Sequence, residues 1–153
     1  SGGSATSTTI NSGGNQNISS GGLAVITFIN NAGIQSVFSG GRATGTIISA
    51  GVQFVNEGGS ATSTTINSGG MQYIVGNFGS ATGTTINSGG NQNISSGGSA
   101  TSTTINWGGT QNISSGGRAT STTIYSHGTQ NIYRGGSATS TTINSGGYQY
   151  IYG

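Results

Sequence analysis

The chain has 153 residues, of which 32 are Gly and only 3% are charged, and it contains no Cys and no Pro. One Glu, one His and three Arg cannot supply the paired carboxylates of a glycosidase, a zinc site or a nucleic-acid-binding surface. No apolar run reaches the roughly 20 residues of a membrane span. We therefore predict a protein that is not an enzyme, with no cofactor, no metal, no nucleic acid partner and no membrane insertion.

The sequence repeats with a period of about nineteen residues along its whole length. Close copies begin at residues 1, 20, 39, 57, 77, 96, 115 and 134, and a final Gly completes the chain. The third copy is one residue short and the fourth is one residue long, which restores the phase. Low apolar content by itself indicates disorder, but this periodicity is typical of a solenoid whose copies stack on one another. The copies predict a single repeat array over residues 1–153.

Five columns of the repeat hardly vary, and these columns are expected to line the inside of the solenoid. In the first copy they hold Ala5, Thr8, Ile10, Gln16 and Ile18. Thr8 and Ile10 are two residues apart, as are Gln16 and Ile18, so each pair lies on one face of a strand. Ala5 is out of phase with Thr8, which predicts a bend between them. Each copy therefore has two clear strands and a shorter side that carries Ala.

Gly-Gly pairs divide each copy and predict its corners. In the first copy they are Gly2-Gly3 and Gly13-Gly14, at places where positive φ or close approach of two backbones is needed. Helix is not expected, because the apolar period is two and Gly interrupts every ten or so residues. The sequence thus predicts an all-β, parallel β-helix of about eight rungs, with the Gln column stacked in a hydrogen-bonded ladder.

The pattern GGxATxTxIxxGGxQxI, found at residues 2–18 and recurring throughout, resembles the nineteen-residue repeats of self-associating autotransporter adhesins, the AIDA, antigen 43 and TibA family. The resemblance implies a right-handed parallel β-helix in a passenger domain, carried to the surface of a Gram-negative cell by a C-terminal barrel. It also implies adhesion to host cells, aggregation between copies, and a heptosyltransferase that modifies Ser and Thr. We expect the chain to be a fragment of a longer passenger, since it contains neither a signal peptide nor a barrel.

Ser residues beside the Gly-Gly corners are candidate glycan acceptors. Their hydroxyl groups are expected to face solvent, and the resemblance implies that such corners accept heptose. Ser is also a favoured turn residue that caps local backbone groups, so a purely structural role remains open. The candidates are Ser12, Ser20, Ser39, Ser68, Ser88, Ser96, Ser115 and Ser145.

The outward columns of the Gln-Ile strand are polar in the first, fifth and sixth copies but apolar in the second to fourth. Stacked on adjacent rungs, the apolar residues predict one contiguous patch, a feature that usually marks a contact site. We predict self-association through this patch, and the alternative is a cap or neighbouring segment that covers it. The patch residues are Ile34, Phe38, Val52, Phe54, Met71, Tyr73 and Val75. For a second cluster, Tyr133, Tyr148, Tyr150 and Tyr152, a cap is favoured.

Two alternatives to an adhesive module remain. A largely polar exterior suits a passive stalk that only acts as a spacer. Thr6 and Thr8 show the T-x-T spacing of ice-binding solenoids, but Thr8 is expected to point inward, and the outward rows are interrupted by residues such as Phe28. His127 replaces a turn Gly and Trp107 replaces a corner Ser, and both are expected to be exposed substitutions.

Overall fold

The computed structural model describes residues 2–153, and within them the regular structure is entirely β. Twenty-one strands pair in parallel to form two sheets. Paired residues in neighbouring rungs lie 18 to 20 positions apart, as in Gln35 with Gln53 and Gln72 with Gln92. The predicted all-β solenoid of about eight turns is confirmed. No helix in the described residues is long and apolar enough to cross a membrane.

The first sheet carries the Ala side and the Thr-Ile side of each rung. In the first three rungs these sides form one strand: β1 (Ser4–Ile10), β3 (Leu23–Asn30) and β5 (Arg42–Ser49). From the fourth rung the Ala side is separate: β7 (Ser60–Thr62), β10 (Ser80–Thr82), β13 (Ser99–Thr101), β16 (Arg118–Thr120) and β19 (Ser137–Thr139). The Thr-Ile side then comprises β8 (Thr65–Ile66), β11 (Thr85–Ile86), β14 (Thr104–Ile105), β17 (Thr123–Ile124) and β20 (Thr142–Ile143).

The second sheet carries the Gln-Ile side and has one strand from each rung. Its strands are β2 (Asn15–Ile18), β4 (Ile34–Val37), β6 (Val52–Val55), β9 (Met71–Ile74), β12 (Asn91–Ile94), β15 (Thr110–Ile113), β18 (Thr129–Ile132) and β21 (Tyr148–Ile151). Their order in the sheet follows their order in the chain. The predicted two strands and one shorter Ala side per rung therefore correspond to the two sheets, with a bend inside the first.

That bend lies at the seventh residue of every rung, where φ is between 55° and 70°. A left-handed residue at this point changes the phase of the side chains, so Ala5 and Thr8 both face the interior although three positions separate them. Ser or Gly fills the position in seven rungs. The second rung has Ile26 there, with φ at 57° and a side chain that is 42% exposed, and this conformation is unfavourable for a β-branched residue.

The core consists of the five columns that hardly vary, as predicted. From the second rung to the seventh, the Ala, Thr, Ile, Gln and Ile-or-Val columns are all buried. Ile105 in the middle of the array has no exposed surface. The Thr column shares this interior, with Thr103 only 1% exposed. The inward direction predicted for the Thr8 column is therefore confirmed, and this column cannot contact ice.

The Gly-Gly corners combine two different requirements. The first Gly of a pair has a left-handed backbone, as at Gly116 with φ at 82°. The second Gly packs against the preceding rung: a Cβ on Gly117 would lie 2.3 Å from the carbonyl oxygen of Ile94. The short third copy and the long fourth copy change only the corners, at Ala50 and around Gly76, so the strands keep their register.

The Gln column forms the predicted ladder. Gln92 donates through Nε2 to Gln72 Oε1 at 2.8 Å, and Gln111 donates to Gln92 Oε1 at 2.7 Å. The inward Thr hydroxyls join it, as where Thr122 Oγ1 donates to Gln111 Oε1 at 3.3 Å. Within residues 2–153 no buried side-chain nitrogen or oxygen lacks a hydrogen-bond partner. Gln is therefore tolerated in the core, because the Gln of each rung donates a hydrogen bond to the Gln of the rung before it.

Candidate functional site

The candidate glycan acceptors all lie on the surface. Each of the eight serines is exposed. They occupy two corners of the rod, one before the Gln-Ile strand and one after it. The corner before that strand holds Ser12, Ser68, Ser88 and Ser145, and the corner after it holds Ser20, Ser39, Ser96 and Ser115.

At the corner before the Gln-Ile strand, the serine is the first central residue of a tight turn. The backbone N–H of Gly90 donates to the carbonyl oxygen of Asn87 at 2.9 Å, and Gly89 between them has φ at 72°. Positive φ at the second central residue alone is the type II arrangement. Ser88 therefore keeps an ordinary backbone conformation at an exposed corner.

At the other corner, three of the four serines have left-handed backbones themselves. Ser20, Ser96 and Ser115 have φ of 47°, 54° and 45°, and each is followed by a left-handed Gly. Two successive left-handed residues define a type I′ turn. Ser39 differs, because only Gly40 after it has positive φ. The eight candidates thus divide into two backbone classes, which the sequence pattern does not distinguish.

Ser126 is a further exposed serine at the corner before the Gln-Ile strand, and the Gly-Gly pattern does not predict it. His127 follows it in place of the usual Gly and keeps the left-handed conformation, with φ at 59°. The hydroxyl oxygen of Ser126 lies 2.7 Å from Nδ1 of His127. Ser126 could have been predicted from its position in the repeat alone, if a following Gly-Gly pair had not been required.

The predicted self-association residues form adjacent rows on the outer face of the second sheet. Ile34 pairs with Val52 and Val52 with Met71, while Phe54 pairs with Tyr73. The rings of Phe54 and Tyr73 stack with centroids 5.3 Å apart and planes at 16°. Phe38 and Met71 are exposed, and Ile34, Val52, Phe54, Tyr73 and Val75 are half-buried. We call these seven residues the apolar patch.

The Tyr cluster lies at the last two rungs. Tyr133 stacks on Tyr152 with ring centroids 5.1 Å apart, and Tyr148, Tyr150 and Tyr152 stack along the final strand at 6.1 and 6.3 Å. Ile143 and Ile151 in the same rung are also exposed, although their columns are buried in the middle of the array. The cluster therefore coincides with the uncovered end of the core.

Trp107 and His127 meet at the corner before the Gln-Ile strand. Their ring centroids are 6.2 Å apart with planes at 51°, and Trp107 is 62% exposed. Both residues replace the Ser or Gly found there in most other rungs. No group of three or more metal-ligating side chains comes together within residues 2–153.

A stacked β-solenoid with regularly spaced, exposed serine corners is the architecture of a repetitive stalk. The chain matches the AIDA family, described as "Adhesin of bacterial autotransporter system, probable stalk", over residues 20–70, 47–90 and 107–147. These segments cover more than half of the sequence, and the protein belongs to this family of autotransporter adhesins.

The fold is also similar to that of a solved crystal structure. That structure is described as a TibA fragment whose hyper-glycosylation is TibC-catalysed. The two share a TM-score of 0.95 and 49% sequence identity. The match covers 100% of this chain and 58% of the TibA chain, so the protein spans little more than half of that fragment. The comparison with curated proteins found no match.

Proposed function

We propose that the chain is a stalk segment of an adhesin passenger on the outer surface of a Gram-negative bacterium. Family membership supports this proposal, as does the shape, since eight rungs at roughly 4.8 Å each make a rod about 40 Å long. A rod whose rungs satisfy one another's backbone hydrogen bonds is extended by adding rungs, without any change in its core. Such a segment sets the distance between the cell and the surface that it meets.

We further propose that a glycosyltransferase of the TibC type modifies the serine corners with a sugar, heptose being the one that the family resemblance implies. The observation that carries this proposal is the exposure of all eight candidate serines on turns, together with the hyper-glycosylated state of the similar TibA fragment. In each transfer the seryl oxygen bonds to the anomeric carbon of a nucleotide-activated sugar. The bond from that carbon to the diphosphate breaks, the nucleoside diphosphate leaves with the electron pair, and a base of the transferase takes the seryl proton.

The test is co-expression of the full chain with TibC, followed by intact mass measurement and glycopeptide mapping. We expect a series of masses separated by one sugar residue. The modified sites should include exposed corner serines such as Ser88 and Ser96, whereas the buried Thr103 should stay unmodified. A chain whose mass is unchanged after co-expression would contradict the glycosylation proposal.

A second candidate function is self-association through the apolar patch. Seven apolar side chains on three adjacent rungs make a continuous surface, and the stacked rings of Phe54 and Tyr73 lie at its centre. Contiguous exposed apolar area is typical of contact sites. Two rods packed side by side would cover the patch on both, and the occupant proposed is therefore a second copy of this chain.

The test replaces both rings with the residue that other copies carry in that column, Phe54→Asn with Tyr73→Asn. Folding should survive because Asn93, Asn112 and Asn131 occupy the column in later rungs. Analytical ultracentrifugation of the wild-type chain should show a dimer that the double variant loses. The matched control, Thr110→Ser on the same outward face of a later rung, should leave association unchanged. Equal association of the wild type and the double variant would favour a passive spacer instead.

A further inference from the structure

We infer that a sugar attached to Ser88 packs against the indole of Trp107, so that this corner holds its own glycan. The inference rests on the glycosylation proposed above. Its ligand is a neutral pyranose joined through its anomeric carbon to the Ser88 oxygen, formed with loss of the nucleoside diphosphate as in the other transfers.

Ser88 and Trp107 occupy the same position in adjacent rungs. Ile86 pairs with Ile105 just before them, and the N–H of Gly89 donates to the carbonyl oxygen of Gly108 at 3.0 Å just after them. The Ser88 hydroxyl leans toward the later rung, because a Cβ on Gly108 would lie 2.9 Å from its Oγ. A substituent on this oxygen therefore starts beside the base of the Trp107 side chain.

Trp107 keeps most of its side chain uncovered, although the ring of His127 lies close to it. His127 belongs to the rung after Trp107, and its carbonyl oxygen accepts a 3.1 Å bond from the N–H of Gly108. The imidazole therefore meets the indole from the C-terminal side, at 6.2 Å between centroids. The indole is still 62% exposed. The C–H groups on one face of a pyranose carry partial positive charge, which complements the negative face of an aromatic ring.

No other candidate at this corner has an aromatic neighbour in the next rung. The residue one rung after Ser68 is Ser88, and the residue one rung after Ser126 is Ser145. Ser68 shares the turn type of Ser88, since Gly69 after it has φ at 71°. A Cβ on Gly89 would lie 3.0 Å from Ser68 Oγ, so this hydroxyl also leans toward the next rung. Ser68 is therefore a matched control whose sugar should remain free in solvent.

Trp107 is the only tryptophan in the chain, so its fluorescence reports this corner alone. The full chain and the variants Ser88→Ala and Ser68→Ala are each co-expressed with TibC, mapped for glycan sites and titrated with acrylamide. We expect the quenching constant of the glycosylated wild type to be lower than that of glycosylated Ser88→Ala by about a factor of two, because one of two ring faces becomes covered. Glycosylated Ser68→Ala should match the wild type.

A second readout is the ring-current effect of the indole on the sugar. Protons of the Ser88 sugar should shift upfield in the NMR spectrum of the glycosylated chain and lose that shift in Trp107→Ser, which carries the Ser found at this position in other rungs. Full occupancy of Ser88 with unchanged quenching and no upfield shift would overturn the inference and leave the glycosylation proposal intact. An unmodified Ser88 in a chain modified elsewhere would overturn the inference as well. A chain with no sugar anywhere would overturn both.

Discussion

Inside the rod, Gln111 donates a hydrogen bond from Nε2 to Oε1 of Gln92 in the preceding rung at 2.7 Å, 19 residues back along the chain. Gln130 donates in the same way to Gln111. All the amide donors of the ladder point the same way along the rod, because each Gln donates to the rung before it and accepts from the rung after it. Removing Gln111 therefore affects three partners, which are Gln92, Gln130 and the Thr122 hydroxyl that donates to its Oε1.

The first prediction concerns that ladder. Gln111→Leu roughly keeps the side-chain volume. It leaves Gln130 Nε2 and Thr122 Oγ1 without their acceptor and removes one donor from Gln92 Oε1. We expect the free energy of unfolding to fall by about 2–3 kcal/mol, since leaving one buried polar group without a partner costs about 1–3 kcal/mol of stability. Gln149→Leu, at the last rung, breaks one partly buried bond and should cost less than about 1 kcal/mol. Chemical denaturation of both variants measures the difference, and equal losses would contradict a cooperative ladder.

The second prediction tests which strand face is inside. Ile105 has no exposed surface, and Ile105→Ala should reduce the free energy of unfolding by about 2–4 kcal/mol through lost burial and a cavity. The neighbouring Thr104 points outward and is half-buried, and Thr104→Ser should cost less than about 0.5 kcal/mol. Urea denaturation compares the two. A larger loss for the Thr104 variant would mean that the faces are reversed.

The third prediction separates the two roles of glycine at a corner. Gly117→Ala places a Cβ 2.3 Å from the Ile94 carbonyl oxygen, so the rungs must move apart, at a cost of about 2–3 kcal/mol. A Cβ on Gly116 would make only an ordinary contact, 3.6 Å from the backbone nitrogen of Gly97, but φ at Gly116 is 82°. Gly116→Asn should therefore cost less than about 1 kcal/mol, because Asn tolerates the left-handed conformation. The melting temperature of Gly117→Ala should be well below that of Gly116→Asn. The opposite order would refute the assignment of a packing role to Gly117 and a conformational role to Gly116.

The fourth prediction concerns the salt dependence of self-association. The apolar patch contains no charged residue, so packing two rods together brings few charges out of water. We expect the dimer dissociation constant to change less than about threefold between 50 mM and 500 mM NaCl, since screening acts on charged contacts. Sedimentation equilibrium at the two salt concentrations provides the measurement. Dissociation at high salt would indicate that Arg and Glu side chains, and not the patch, hold the copies together.

The outward Asn residues show where sequence reasoning fell short. Asn112 occupies a variable, outward column, and nothing in the pattern marks it as structural. In the folded chain it donates to Asn93 Oδ1 at 3.0 Å and accepts from Asn131 Nδ2 at 2.9 Å. A variable column can form a ladder wherever three successive rungs carry the same amide. Replacing Asn112 is consequently a poorer test of an indifferent surface position than replacing Thr104.

The sequence by itself determined the period, the five inward columns and the Gln ladder. Residues two apart on a strand share a face, so an invariant Thr8 with Ile10, or Gln16 with Ile18, reports burial directly. Stacking equal copies then places like residues above one another, which predicted the rows of the apolar patch. Handedness remains a prediction from the family resemblance.

Only the tertiary structure decided the backbone conformation at the corners and the direction in which side chains lean there. The left-handed turn at Ser7, the two turn classes of the serines and the approach of Ser88 Oγ to Gly108 depend on how one rung rests on the next. A repeat pattern records which side of a strand a residue takes. It does not record contacts along the rod axis at a turn, because there the chain leaves the two-residue alternation that makes the pattern readable.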